Sequence, residues 1–329
     1  MSDVVLNANL NYTWNGEVPR EVFLDPTVQT PDIQNLFTIQ QRVKSKWQIH
    51  TAAALNKVTK ADDGCGLSDT GTGIDITNTT LEVADLEIYL TQCADVFKDE
   101  VWETSLKTGT AINDLSGTDI QRNIIQPLIS DVAARDMFRI LSFGDTGSGD
   151  PDINQLDGLW TKMIAGVASY CVDQSSVSFG ATLTDGEALS GLKASYEEAA
   201  IVLKQKSNTE KAFYVTGSVF ENYQASLETK EGTEAGWKVI QDGVQRLYYR
   251  GIEVIPVYAW DETIAADGLS NPHRILYTTK ANHIAGFDVS RDAMSIKTWY
   301  SDDDDIMKYL TRYKMGYQYI HCDLQIITI

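Results

Sequence analysis

The stretch from residue 208 to residue 329 constrains the fold most, because strand, helix and turn formers succeed one another there in a fixed order. Phe213-Tyr214-Val215-Thr216 is aromatic and β-branched, the composition of a half-buried or buried strand. Ser218 followed by Glu221 is a capping box, which predicts a short helix bearing Val219, Phe220, Tyr223 and Leu227. Tyr248-Tyr249 and Ile252-Glu253-Val254 read as two strands joined at Gly251, which supplies the positive φ of a tight turn. Pro256 has no N–H for a sheet ladder and marks a strand's end or edge. Ile275-Leu276-Tyr277-Thr278 and Leu324–Ile329 add further strands. The fold class is α+β.

Upstream, residues 118–141 predict the longest helix. Ile120, Ile124, Ile125, Leu128, Ile129, Val132, Met137, Ile140 and Leu141 line one broad apolar face. Asp119 suits its N-terminal end, Gly144 lies just past its C-terminal end, and Pro127 predicts a kink or restart. A loop rich in Asp and Gly covers 145–158. A second helix is predicted over 185–205, opened by a Thr184…Glu187 capping box, with Leu189, Leu192, Tyr196, Ala199 and Leu203 at helical spacing.

The first 46 residues carry weak periodicity and three prolines, Pro19, Pro26 and Pro31, so they read as an extended arm. Val22, Phe23, Leu24, Leu36 and Phe37 are scattered along it. Either these bury on another copy of the chain, or the arm packs back as strand and loop on its own subunit. Residues 57–78 are polar and Gly-rich, the composition of a mobile hairpin tip. Leu81 to Leu90 then alternates apolar with polar, the signature of a half-buried strand.

In the order and spacing of these pieces, and in Tyr249-Arg250-Gly251-Ile252-Glu253-Val254-Ile255-Pro256, the chain resembles the tailed-phage major capsid proteins of the Hong Kong 97-type shell fold. The resemblance covers most of the chain. It implies an N-terminal arm over 1–46, and an extended β-hairpin loop with flanking strands over 47–105. A peripheral domain with a long spine helix would cover 106–180, an axial domain 181–279, and a return to the peripheral domain 280–329. It further implies hexamers and pentamers of the chain closing into an icosahedral virion shell, assembled in a bacterial host cytoplasm. The implied partners are the chain itself, a portal, a separate scaffold and decoration proteins. Double-stranded DNA is enclosed without being read. An encapsulin-type compartment shell, a tail or baseplate protein and an acidic soluble enzyme are the alternatives.

Charge agrees with a wall more than with a DNA reader. The net charge is −19, divided as +1 over residues 1–60, −14 over 61–160 and −6 over 161–329. No basic face follows from such a distribution. The chain has no apolar run near the roughly 18–20 residues that span a bilayer.

No catalytic, cofactor-binding or metal-ligating residue is assigned, and no enzyme or cofactor is expected. Phosphate-loop, dinucleotide-binding, nucleophile-elbow and zinc-protease motifs are all missing. Cys65, Cys93, Cys171 and Cys322 are far apart and read as free thiols in a reducing compartment. His50, His273, His283 and His321 share no ligand spacing and read as structural. Asp302 to Asp305 form a carboxylate run that suits either a solvated turn or a hard cation. Tyr309, Tyr313, Tyr317 and Tyr319 are read as core and interface packing.

Overall fold

A computed structural model of the chain describes residues 36–52, 76–93, 126–228, 239–241, 244–288, 297–304 and 306–329. Three strands buried at every position organise it: β6 (Lys211–Val215), β10 (Ile275–Thr279) and β14 (Gln325–Thr328). Strands buried on both faces need cover on both sides. They sit centrally in a seven-stranded sheet ordered β5-β14-β10-β6-β9-β8-β7. Its remaining members are β5 (Asp173–Gln174), β7 (Val239–Gln241), β8 (Val244–Tyr249) and β9 (Ile252–Pro256).

Alternation along the strands sends odd and even residues to opposite cores. Phe213, Val215, Val254, Ile275, Tyr277 and Ile326 face three helices: α3 (Glu187–Glu198), α4 (Ile201–Gln205) and α5 (Gly217–Glu228). Phe213 and Tyr277 stack there with ring centroids 4.3 Å apart. On the other face Ala212, Tyr214, Leu276 and Ile327 join a larger core. It is filled by α1 (Gln126–Phe143), α2 (Leu159–Ala168), α6 (Tyr258–Asp267) and a second sheet. Trp160 and Trp260 meet edge to face at 5.1 Å, and the Trp260 indole donates to Ser142 Oγ at 3.1 Å. Arg274 is buried beside them, its guanidinium 5.1 Å from the Phe143 ring and 4.9 Å from the Trp160 ring, donating to the Asn271 and Ser270 carbonyls. Desolvation pulls its pKa down to about 10.

The second sheet is built on β13 (Ile306–Tyr319), a strand long enough to serve two partners on one edge. Its first half pairs with β12 (Lys297–Ser301) and its last part with β11 (His283–Phe287), while β4 (Ala84–Gln92) runs along the opposite edge. β1 (Thr38–Gln41) adds in parallel to β11. β2 (Lys46–Ala52) and β3 (Ile76–Glu82) make a separate two-stranded ribbon.

Several sequence expectations meet their outcome here. The Arg250-Gly251 turn is as read: φ is 50° and 77°, and Tyr249 pairs with Ile252 across it. Pro256 ends β9. Tyr309, Tyr313 and Tyr317 point inward from β13 and are buried. Gly144 follows α1 as expected, though for closeness: a Cβ there would collide with the Leu156 carbonyl oxygen and lie 2.6 Å from that of Ile140. On α1 the expected apolar face holds at Ile129, Met137, Ile140 and Leu141, but Val132 is exposed. Residues 118–125, with Asp119 and three of the isoleucines, lie outside the described residues, as do Val22, Phe23, Leu24 and 57–75.

Other expectations are corrected. The single helix over 185–205 is two, α3 and α4, because Ala199 and Ala200 are extended (ψ 148° and 145°) ahead of the β-branched pair Ile201-Val202. The strand read from Leu81 to Leu90 is β3 and β4, separated at Val83, whose N–H bonds the Ser45 carbonyl. The capping box at Ser218 does not form. Asp261 on α6 instead accepts from the Gly217 and Ser218 N–H groups, at 2.5 and 3.2 Å, while Ser218 Oγ bonds His273 Nδ1. At Thr184 half a box forms, with the Glu187 carboxylate accepting from the Thr184 N–H and hydroxyl. Of the two readings left open for Leu36 and Phe37, packing within the same chain holds: both are buried in its core, Phe37 against Phe138 and Tyr317. Cys171 and Cys322 are not free thiols: their Cα atoms are 5.2 Å apart and they form a disulfide across 151 residues of sequence.

Candidate assembly surfaces

The β2–β3 ribbon is anchored at its base and bare towards its tip. At the base Ile49 and Leu81 are buried with Val43 and Ile284, and Trp47 packs on them half-buried. Two glycines admit this approach. A Cβ on Gly286 would lie 2.5 Å from Leu81 Cδ2, and one on Gly316 would collide with the Glu82 carbonyl oxygen. Beyond Ile49 no side chain of the ribbon is buried. Its rungs are polar: His50 Nδ1 with Asn78 Oδ1 at 2.5 Å, and Thr51 Oγ1 with Thr77 Oγ1 at 2.7 Å. Ile76, the first residue of β3, is 64% exposed. A two-stranded ribbon is marginal by itself, and among the described residues nothing covers the outer rungs of this one.

Elsewhere large apolar side chains face outward on separate elements. Tyr170 is 98% exposed and adopts φ 57°, in the left-handed region where glycine is the usual helix terminator. Ile201 and Val202 project from α4, and Tyr89 and Trp299 from the outer face of the β13 sheet. Sequence reading does not single out Tyr170, since a tyrosine between Ser169 and Cys171 carries no pattern. Its exposure follows only from the αL turn after α2, fixed by Cys171 and Val172 N–H groups on the Gly166 carbonyl.

Among the described residues the histidines and the Asp302–Asp304 carboxylates do not come together in one site. His283 is buried and bonded to Tyr317 and Thr278, and desolvation lowers its pKa to about 3, so it is neutral. His273 lies between Ser218 and the Ala181 carbonyl. In the Asp302–Asp305 run, Asp304 pairs with Lys308 and accepts from Ser301 Oγ, which holds its pKa down. Among the described residues no group of three or more His, Cys, Asp or Glu side chains is placed to hold a metal, and no helix is long and apolar enough to cross a membrane.

No protein-family model matches the chain, and no curated protein sequence does. Solved structures do. A chain from Gordonia phage Cozz superposes with a TM-score of 0.60 at 11% identity, covering 97% of this chain and 91% of its own. The capsid of the native GTA particle gives 0.57 at 11% identity, over 98% and 95%. This chain has the capsid fold, Hong Kong 97-type. An encapsulin complex of Synechococcus elongatus gives 0.54 at 9% identity, over 96% and 91%. Identities this low speak for the fold alone.

Proposed function

We propose that the chain is the major capsid protein of a tailed double-stranded DNA phage, assembling as hexamers and pentamers into an icosahedral shell. One observation carries the reading: a ribbon rooted in the core whose outer half is bare and bears an exposed Ile76. In this reading the element gains its cover by lying on another molecule. In this reading residues 47–105 are the extended loop, α1 is the spine of a peripheral domain formed by 106–180 and 280–329, and 181–279 form the axial domain. The arm is 1–35, because 36–46 belong to the subunit's own core and sheet.

The work is mechanical. Each copy overlaps its neighbours through arm and ribbon, burying more than the roughly 1,200–2,000 Å² of a standard interface, and heterologous contacts close into rings. A charge of −19 suits a wall that encloses DNA without gripping it. No enzymatic step is assigned. Portal, scaffold and decoration proteins are the further partners, and the virion is the place.

Negative-stain microscopy of the expressed protein, with and without a co-expressed scaffold, tests this. Closed shells are the expected result; tubes, rings or monomers alone would refute it. The likeness to the encapsulin complex supports a second reading, a cellular compartment, and particle contents separate the two: packaged DNA against a protein cargo. Deleting residues 1–35 should leave a soluble subunit that forms no stable particles, and normal particles from it would remove the arm's role.

A further inference from the structure

A cleft of about 700 Å³ opens between the two sheets, and its walls differ in kind. One wall is β1, with Thr38, Ile39 and Gln41. β1 ends its sheet, paired to β11 along one edge, and among the described residues no strand pairs with the other edge. An edge strand leaves every second residue's N–H and C=O unpaired along its open side, a template for another extended chain.

The other wall is charged. Arg246 on β8 lies 2.9 Å from Glu253 Oε1, and Lys280 lies 3.2 Å from Glu253 Oε2. Each oxygen of the single carboxylate already holds a cation, so the cluster keeps one positive charge in excess. The Arg246 and Lys280 side chains remain 46% and 43% exposed, within reach of a ligand in the cleft.

We propose that an extended segment of a second copy of this chain adds as a strand to the open edge of β1, placing one Asp or Glu carboxylate between Arg246 and Lys280. Charge complementarity argues for a copy as the occupant. A second copy, at −19, offers carboxylates to a cluster in which two cations share one carboxylate, and such a contact offsets the repulsion between the molecules. Backbone pairing along β1 supplies affinity, and the Arg246–Lys280 pair supplies register.

The inference rests on the shell reading, and one experiment separates the two. Unlabelled and isotope-labelled full-length protein are mixed equally, allowed to associate, treated with a zero-length carbodiimide and digested. The reagent joins Lys280 Nζ to a touching carboxylate as an amide, with loss of water. Mixed-isotope peptides joining Lys280 to an Asp or Glu are the expected product. Links from Lys280 only to Glu253, only within one isotope, or to a different protein overturn the inference. Shells without mixed links at Lys280 overturn it and leave the capsid reading standing. Mixed links in a protein that never closes shells do the reverse, and a monomer without such links overturns both. A paired variant, Arg246→Gln with Lys280→Gln, should raise the concentration needed for association about tenfold or more, with an unchanged circular-dichroism spectrum. An unchanged association threshold in that variant counts against the proposal.

Discussion

His283 ties the β13 sheet to acid sensitivity in a way that can be measured. Its ring is fully buried, with Nδ1 2.7 Å from the Tyr317 hydroxyl and Nε2 3.0 Å from Thr278 Oγ1. Desolvation lowers its pKa from 6.5 to about 3. In the unfolded chain the same ring takes a proton below about pH 6.5, whereas the folded protein refuses it until about pH 3. Between those values the unfolded state binds more protons, so stability falls as pH falls. The slope is about 1.4 kcal/mol per pH unit, or about 2 kcal/mol lost by about pH 5. Urea denaturation of unassembled subunits at about pH 7.5 and about pH 5, for the natural chain and His283→Gln, isolates this contribution, because carboxylates common to both cancel. The natural chain should lose about 2 kcal/mol more than the variant across that window. Parallel losses in the two proteins would refute the assignment of His283 as a buried neutral ring.

Three further outcomes follow from particular contacts. Gly316→Ala should cost about 1–3 kcal/mol, since its Cβ falls on the Glu82 backbone; chemical denaturation reads this, and a neutral result would show that the ribbon base is not held close. Asp261→Ala should cost about 1 kcal/mol by removing the acceptor for the first N–H groups of α5, whereas Glu221→Ala should stay within about 0.5 kcal/mol; the reverse ranking would restore the capping box. Reducing the Cys171–Cys322 bond, or Cys322→Ser, should cost about 2–4 kcal/mol in thermal or urea unfolding, and identical curves with and without reductant would show that the bond contributes nothing.

Local signals carried much of the architecture. The Arg250-Gly251 turn, the end of β9 at Pro256 and the inward tyrosines of β13 each follow from a short pattern with a steric cause. Signals that need a distant partner were silent. The cap of α5 comes from Asp261, some forty residues on, so Ser218 and Glu221 misled although their spacing was right. Cys171 and Cys322 meet only because β5 and β14 pair in parallel, a fact of topology. Leu36 and Phe37 were ambiguous for the same reason: apolar residues in an irregular segment do not say whose core they enter. Of the surfaces proposed for assembly, the ribbon was expected from the family resemblance, since the alternation from Leu81 to Leu90 marks β4 and only the last two residues of β3. Tyr170 and the open edge of β1 were not, because exposure and missing strand partners have no one-dimensional pattern.

The central claim is that the ribbon formed by 46–52 and 76–82 finds its cover on a sister molecule. Electron cryo-microscopy of the assembled protein tests it most directly. The account predicts closed particles in which the outer half of the ribbon, from His50 and Ile76 onward, lies across the neighbouring subunit. A monodisperse single subunit, or particles whose ribbon folds back onto its own core, would contradict it.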